Sequence, residues 1–149
     1  MMIPNFLEAS RFGVGATRSD LLPKILLVDD EPQILLAMDQ LLAREGFAVT
    51  AVSSAEDAIM KLQAEAFDLV ITDFRLGGKQ GDSVAIAARN TRPGTPVVLV
   101  TGLVDDLPGW MRFGGSALPI VPKPFRIPDL LAAMKRAMAD VGAPLAVSS

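Results

Sequence analysis

Short apolar runs recur along this chain with helix-periodic segments between them: KILLVD (24–29), FAVTAV (47–52), DLVIT (68–72), PVVLVT (96–101) and LPIVP (118–122). Unbroken runs of Val, Ile and Leu mark strands buried on both faces, which occur in parallel sheets covered by helices. Between the first two runs, Pro32 suits a first helical turn, and Ile34, Leu35, Met38, Leu41 and Leu42 share one face of a helix that Gly46 can stop. Ser54 predicts an N-cap for a helix carrying Ala55, Ala58, Ile59 and Leu62. A loop is expected over 73–81, and Asp82 is placed to cap a helix reaching about Thr91 before the breaker RPGTP (92–96). Segment 102–117 should supply another helix, short, displaced or broken, because Pro108 and Gly109 cost about 3 and 1 kcal/mol in a helix interior. Pro119 suits an edge strand. Ile127, Leu130, Leu131, Met134 and Met138 predict a last amphipathic helix ending near Gly142. The expected fold is α/β, a (βα)5 doubly wound parallel five-stranded sheet in a three-layer α/β/α sandwich.

Composition narrows the chemistry. The 149 residues suit one domain. There is no Cys and no His, which removes thiolate zinc sites, Cys nucleophiles, the Ser-His-Asp triad and imidazole bases. A net charge of −3 disfavours bulk attraction to nucleic acid, so none is expected as a partner. No apolar run approaches the roughly 18 residues of a membrane span, and the first residues carry no secretory pattern. A cytoplasmic location without membrane attachment is the expectation.

In sheets of this kind ligands collect at the carboxyl ends of the strands, where the strand order reverses. Asp29 and Asp30 close the first run with Glu31 next, Asp73 follows the third, Thr101 ends the fourth and Lys123 follows the fifth. Clustered carboxylates repel, and one is driven protonated unless a cation intervenes. A hard ion such as Mg²⁺ resolves this with carboxylates, waters and a substrate phosphate. A carboxylate can also attack phosphorus and form an aspartyl phosphate. Its oxygens then need a hydroxyl, a positive charge and the metal, which Thr101, Lys123 and an ion on Asp30 and Asp73 would supply. Taken singly, the Asp pair reads as a helix cap, Thr101 as a strand end and Lys123 as a solvated charge. Only the constellation promotes them.

The segments LLVDDEP (26–32), LVITDFRLGGKQGD (69–82), PVVLVTG (96–102) and VPKPF (121–125), in that order, resemble the receiver domain of two-component response regulators over about residues 22–140. The resemblance implies a flavodoxin-like fold with Asp73 as phosphoacceptor. It implies Mg²⁺ held by Asp29, Asp30, Asp73 and the backbone carbonyl of Arg75. Thr101 would be the switch hydroxyl, and Lys123, before a cis Pro124, the lysine gripping the phosphoryl group. The phosphoryl donor would be a histidine kinase or histidine phosphotransfer protein. On this reading residues 1–22 are an extension, either a flexible tail or a short helix in PNFLEASRF. Residues 23–141 are a receiver domain, and 142–149 are a short tail too small for an output domain.

The chain is then expected to be a single-domain receiver signalling through a partner protein. It is no conventional enzyme, but it would catalyse its own phosphotransfer. Arg75 and Leu103 are placed to hinder a hydrolytic water, which predicts slow autodephosphorylation. The alternative is a receiver-fold interaction module working without phosphorylation. It is favoured by Ile120, which stands where receivers usually carry the switch aromatic, and by the break at Pro108-Gly109. Trp110 and Phe113 are either core filler or a partner patch. A haloacid-dehalogenase-type hydrolase fits poorly, because the acidic pair is adjacent and Asp73 stands alone. Lys123 is expected to act only once a phosphoryl group is present and to be dispensable for folding.

Overall fold

The computed structural model describes residues 22–76, 79–102 and 118–139. Five strands form one parallel sheet: β1 (Lys24–Val28), β2 (Ala48–Val52), β3 (Leu69–Asp73), β6 (Val97–Thr101) and β7 (Ile120–Pro122), in the order β2-β1-β3-β6-β7. Two further short strands, β4 (Arg75–Leu76) and β5 (Lys79–Gln80), pair antiparallel with each other. The helices among the described residues are α1 (Pro32–Arg44), α2 (Ala55–Ala64), α3 (Gly81–Thr91) and α4 (Ile127–Ala139).

Residue alternation along the strands divides the core into two layers. Ile25, Leu27, Leu69, Ile71, Val98 and Val100 pack with Met38 and Leu42 of α1 and with Leu130 and Met134 of α4. Leu26, Val28, Val70, Val97 and Leu99 pack on the opposite layer with Ala55, Ala58 and Leu62 of α2 and Val84, Ala85 and Ala88 of α3. The central strands β1, β3 and β6 are buried almost throughout, as their unbroken apolar runs require. β2 is half-buried along its length because it lies at the sheet edge. Ile120 of β7 packs partly buried against the α2–α3 layer.

The predicted local signals operate, with two corrections. Ser54 caps α2 by accepting a hydrogen bond from the Asp57 N–H at 3.1 Å. Gly46, at φ +99°, ends α1: its N–H donates to the Ala43 carbonyl and the Phe47 N–H to the Leu42 carbonyl, a Schellman pattern closed by buried Phe47 and Leu42. The first correction concerns 73–81, expected as plain loop, which contains the β4–β5 hairpin. Strands of two residues carry too little apolar pattern to register in a sequence. The second is Asp82, which lies within the first turn of α3 rather than before it, where its charge still favours the helix N-terminus. β7 is the edge strand foreseen from Pro119, whose carbonyl accepts from the Leu99 N–H at 2.9 Å. The expected break at Pro108-Gly109, the placements of Leu103, Trp110 and Phe113, the extension before Leu22 and the helix end near Gly142 lie outside the described residues.

Leu99 is fully buried in β6 between flanking strands, whereas Leu36 on α1 is exposed. Leu99→Ala should therefore cost about 3 kcal/mol and Leu36→Ala less than about 0.5 kcal/mol, measured by chemical denaturation. Similar losses for the two would contradict the assigned layers.

Candidate functional site

The strand order places the topological switch between β1 and β3, and the acidic residues gather at their carboxyl ends. Asp29 directly follows β1 and is 2% exposed; Asp73 ends β3 and is 7% exposed. The register explains the placement. Val28 pairs with Thr72, so the residues after each come side by side, and Asp73 pairs with Val100, one residue before Thr101. One carboxylate oxygen each of Asp29, Asp30 and Asp73 lies within 4.8 Å of the others. Asp30 is exposed, which leaves the group open on one side.

Lys123 enters from the end of β7. Its backbone N–H donates to the Thr101 carbonyl at 2.8 Å, fixing the loop against β6, and the Lys123–Pro124 peptide is cis. The ammonium donates to Asp29 Oδ2 at 2.9 Å and to Asp73 Oδ2 at 3.0 Å, and stands 3.5 Å from Glu31 Oε1. The second oxygens of the buried acids are held by backbone. The Glu31 N–H donates to Asp29 Oδ1 at 2.9 Å and the Arg75 N–H to Asp73 Oδ1 at 3.2 Å. Thr101 is buried at the same edge.

The electrostatics follow from this packing. Burial pushes the Asp73 carboxyl above the usual aspartate range, more than the Lys123 hydrogen bond draws it down, and the neighbouring Asp29 charge adds to the rise. For Lys123, burial alone would lower the pKa; the hydrogen bonds of Asp29 and Asp73 outweigh it and hold the ammonium above the usual lysine range. The lysine is thus bonded to the carboxylates with no phosphoryl group present, a contact the sequence alone did not foresee.

The residues assigned from the sequence to the acceptor and metal site meet at this edge: Asp29, Asp30, Asp73, Arg75, Thr101 and Lys123. The ion contact of Glu31 with Lys123 went unforeseen. The only available signal was its position directly after the acidic pair. The donor set fits a hard divalent cation: carboxylate oxygens in close reach, one of them exposed, with no nitrogen or sulfur ligand among them.

A family model for the response regulator receiver domain matches residues 25–135. The chain is 31% identical over 115 residues to the C4-dicarboxylate transport transcriptional regulatory protein DctD of Rhizobium meliloti, covering 77% of this chain and 25% of that protein. It is 38% identical over 110 residues to the response regulator protein FleR of Pseudomonas aeruginosa, covering 72% of this chain and 23% of that protein. The chain therefore spans about a quarter of the length of these curated relatives. Among solved structures, a response regulator receiver protein from Sinorhizobium medicae superposes with a TM-score of 0.69 at 35% identity, covering 79% of this chain and 95% of that one. TrrA of Thermotoga maritima, solved in complex with Mg(2+)-BeF, gives 0.66 at 28% identity, covering 78% and 99%.

The raised Lys123 pKa has a definite sign in stability. A group whose pKa is higher in the folded state contributes fully below its unfolded value, about 10.4, and loses the contribution as pH rises through the folded value. Lys123→Met should lower stability by about 3 kcal/mol at pH 7, since it leaves buried carboxylates without their cation. The gap to wild type should stay level to about pH 10 and narrow above it, measured by urea denaturation against pH. A gap absent at pH 7, or widening with alkali, would contradict the ion pairs.

Proposed function

The chain belongs to the response regulator receiver domain family, and from that premise we propose that its receiver domain takes a phosphoryl group on Asp73. Receivers of this family accept phosphoryl groups in two-component signalling and bind Mg²⁺ at an acidic site. The observation that carries the reading for this chain is the joint placement of Asp29, Asp30 and Asp73 within 4.8 Å with the Lys123 ammonium among them.

Asp29, Asp30, Asp73 and the Arg75 carbonyl would hold Mg²⁺, which when bound supplies positive charge against the carboxylates and the phosphoryl oxygens. The donor is a phosphohistidine on a histidine kinase or phosphotransfer protein, since this chain has no histidine. An Asp73 oxygen attacks phosphorus, the O–P bond forms as the P–N bond breaks, and the nitrogen keeps the electron pair of the broken bond. The backbone N–H of Arg75 holds the other Asp73 oxygen and fixes the direction of attack. The Thr101 hydroxyl and the Lys123 ammonium then act as donors to the new phosphoryl oxygens. Beside Lys123, an apolar hollow of about 420 Å³ lined by Ile34, Met38, Leu41, Pro124 and Phe125 offers the partner protein a seat. The downstream partner on this reading is a protein and not nucleic acid, consistent with the net charge of −3. The site of action is the cytoplasm, and no helix among the described residues is long and apolar enough to cross a membrane.

A second reading, docking without phosphorylation, is favoured by Ile120. An aliphatic side chain partly buried against the α2–α3 layer has no ring to turn when Thr101 moves. Intact mass separates the two readings. Incubation with acetyl phosphate and Mg²⁺ should add about 80 Da to wild type and nothing to Asp73→Asn. No gain in wild type would favour the docking module, and an equal gain in both would place the phosphoryl group elsewhere.

A further inference from the structure

Glu31 makes the outermost contact of the site. Its carboxylate is 3.5 Å from Lys123 Nζ with a side chain 60% exposed, whereas Asp29 and Asp73 hold the same ammonium at 2.9 and 3.0 Å from positions 3% and 8% exposed. A lysine ammonium carries three N–H donors, one for each of these carboxylates. The backbone of Glu31 is tied to the same group, since its N–H donates to Asp29 Oδ1 at 2.9 Å. This bond fixes the start of its side chain beside the lysine.

Asp29 and Asp73 also belong to the group of carboxylates close enough to share a cation. The ammonium and a divalent ion therefore compete for the same two carboxylates. The Lys123 side chain is only 16% exposed, so an ammonium released by both acids would be left largely buried and unpaired, a costly state. Among the described residues, Glu31 is the carboxylate outside the cation-holding group that already reaches Nζ.

Resting on the metal-site reading above, we propose that Glu31 is a positioning residue for Lys123. It receives the ammonium when Asp29 and Asp73 engage the cation, keeps the charge beside Asp73, and thereby favours cation binding. The alternative source of any effect is plain negative charge near the site, which needs no lysine.

A double-mutant cycle on the full chain, titrated with Mg²⁺ by calorimetry, separates these. Glu31→Gln should weaken Mg²⁺ binding about three- to fivefold in the wild-type background and leave it nearly unchanged in Lys123→Met, because exposed ion pairs carry modest energies and the cycle isolates the coupling. In the Mg²⁺-saturated chain the ¹⁵Nζ resonance of Lys123 should shift on Glu31→Gln. An equal loss of affinity in both backgrounds, no loss in either, or an unmoved Nζ resonance would overturn the proposal. Asp30→Asn and Asp73→Asn serve as controls on the underlying reading. If they bind Mg²⁺ as wild type does, the metal-site reading fails and the proposal falls with it. If they lose binding while the cycle shows no coupling, the proposal alone fails.

Discussion

Repulsion among carboxylates brought to one edge of a parallel sheet is the constraint on which this structure turns. Asp29 and Asp73 are buried side by side, with Asp30 and Glu31 close by, and among the described residues the Lys123 ammonium stands between them. At about 4 Å and an effective dielectric near 20, a pair of like charges costs about 4 kcal/mol, so the arrangement persists only with nearby cations and backbone donors. Lys123 supplies one charge, and the N–H groups of Glu31 and Arg75 hold the outer oxygens. The Asp73 pKa stays raised chiefly because the carboxyl is buried, with the Asp29 charge a smaller addition that Lys123 does not fully offset. A site left short of positive charge is suited to take up a divalent cation.

The rest of the chain serves that placement. The almost wholly buried strands β1, β3 and β6 fix the carboxyl ends to within one residue of register. α1 and α4 cover one face and α2 and α3 the other, so the strand ends cannot shift without disturbing both layers. The edge strand β7 carries Lys123 inward through the hydrogen bond from its backbone N–H to the Thr101 carbonyl. The acid cluster is thus held by the core on the β1 and β3 side and by a short, edge-strand connection on the lysine side.

Most of this architecture was legible in the sequence for one reason. Strands buried on both faces read as unbroken Val, Ile and Leu, and the residue ending each run is automatically at the ligand edge of the sheet. Asp29, Asp73 and Thr101 were found in this way, and the helix stop at Gly46 and the helix start at Ser54 followed from local backbone chemistry. The β4–β5 hairpin was not legible, because a pairing of Arg75 and Leu76 with Lys79 and Gln80 leaves no periodic pattern. The reach of Lys123 to Asp29, Asp73 and Glu31 was hidden for a different reason. It joins residues 94, 50 and 92 positions apart in sequence. Only the assembled sheet brings them together. The cis Lys123–Pro124 peptide came from family resemblance and not from any local signal.

The central claim is that Asp73 is the acceptor and that Lys123 leaves its carboxylate partners to meet the incoming group. A crystal structure of this chain with Mg²⁺ and beryllofluoride, the combination present in the TrrA neighbour, tests it most directly. The account predicts beryllium on an Asp73 oxygen and the Lys123 ammonium moved onto a fluorine, with its bond to Asp73 broken. Beryllofluoride bound elsewhere, or Lys123 still held by both Asp29 and Asp73 beside it, would contradict the account.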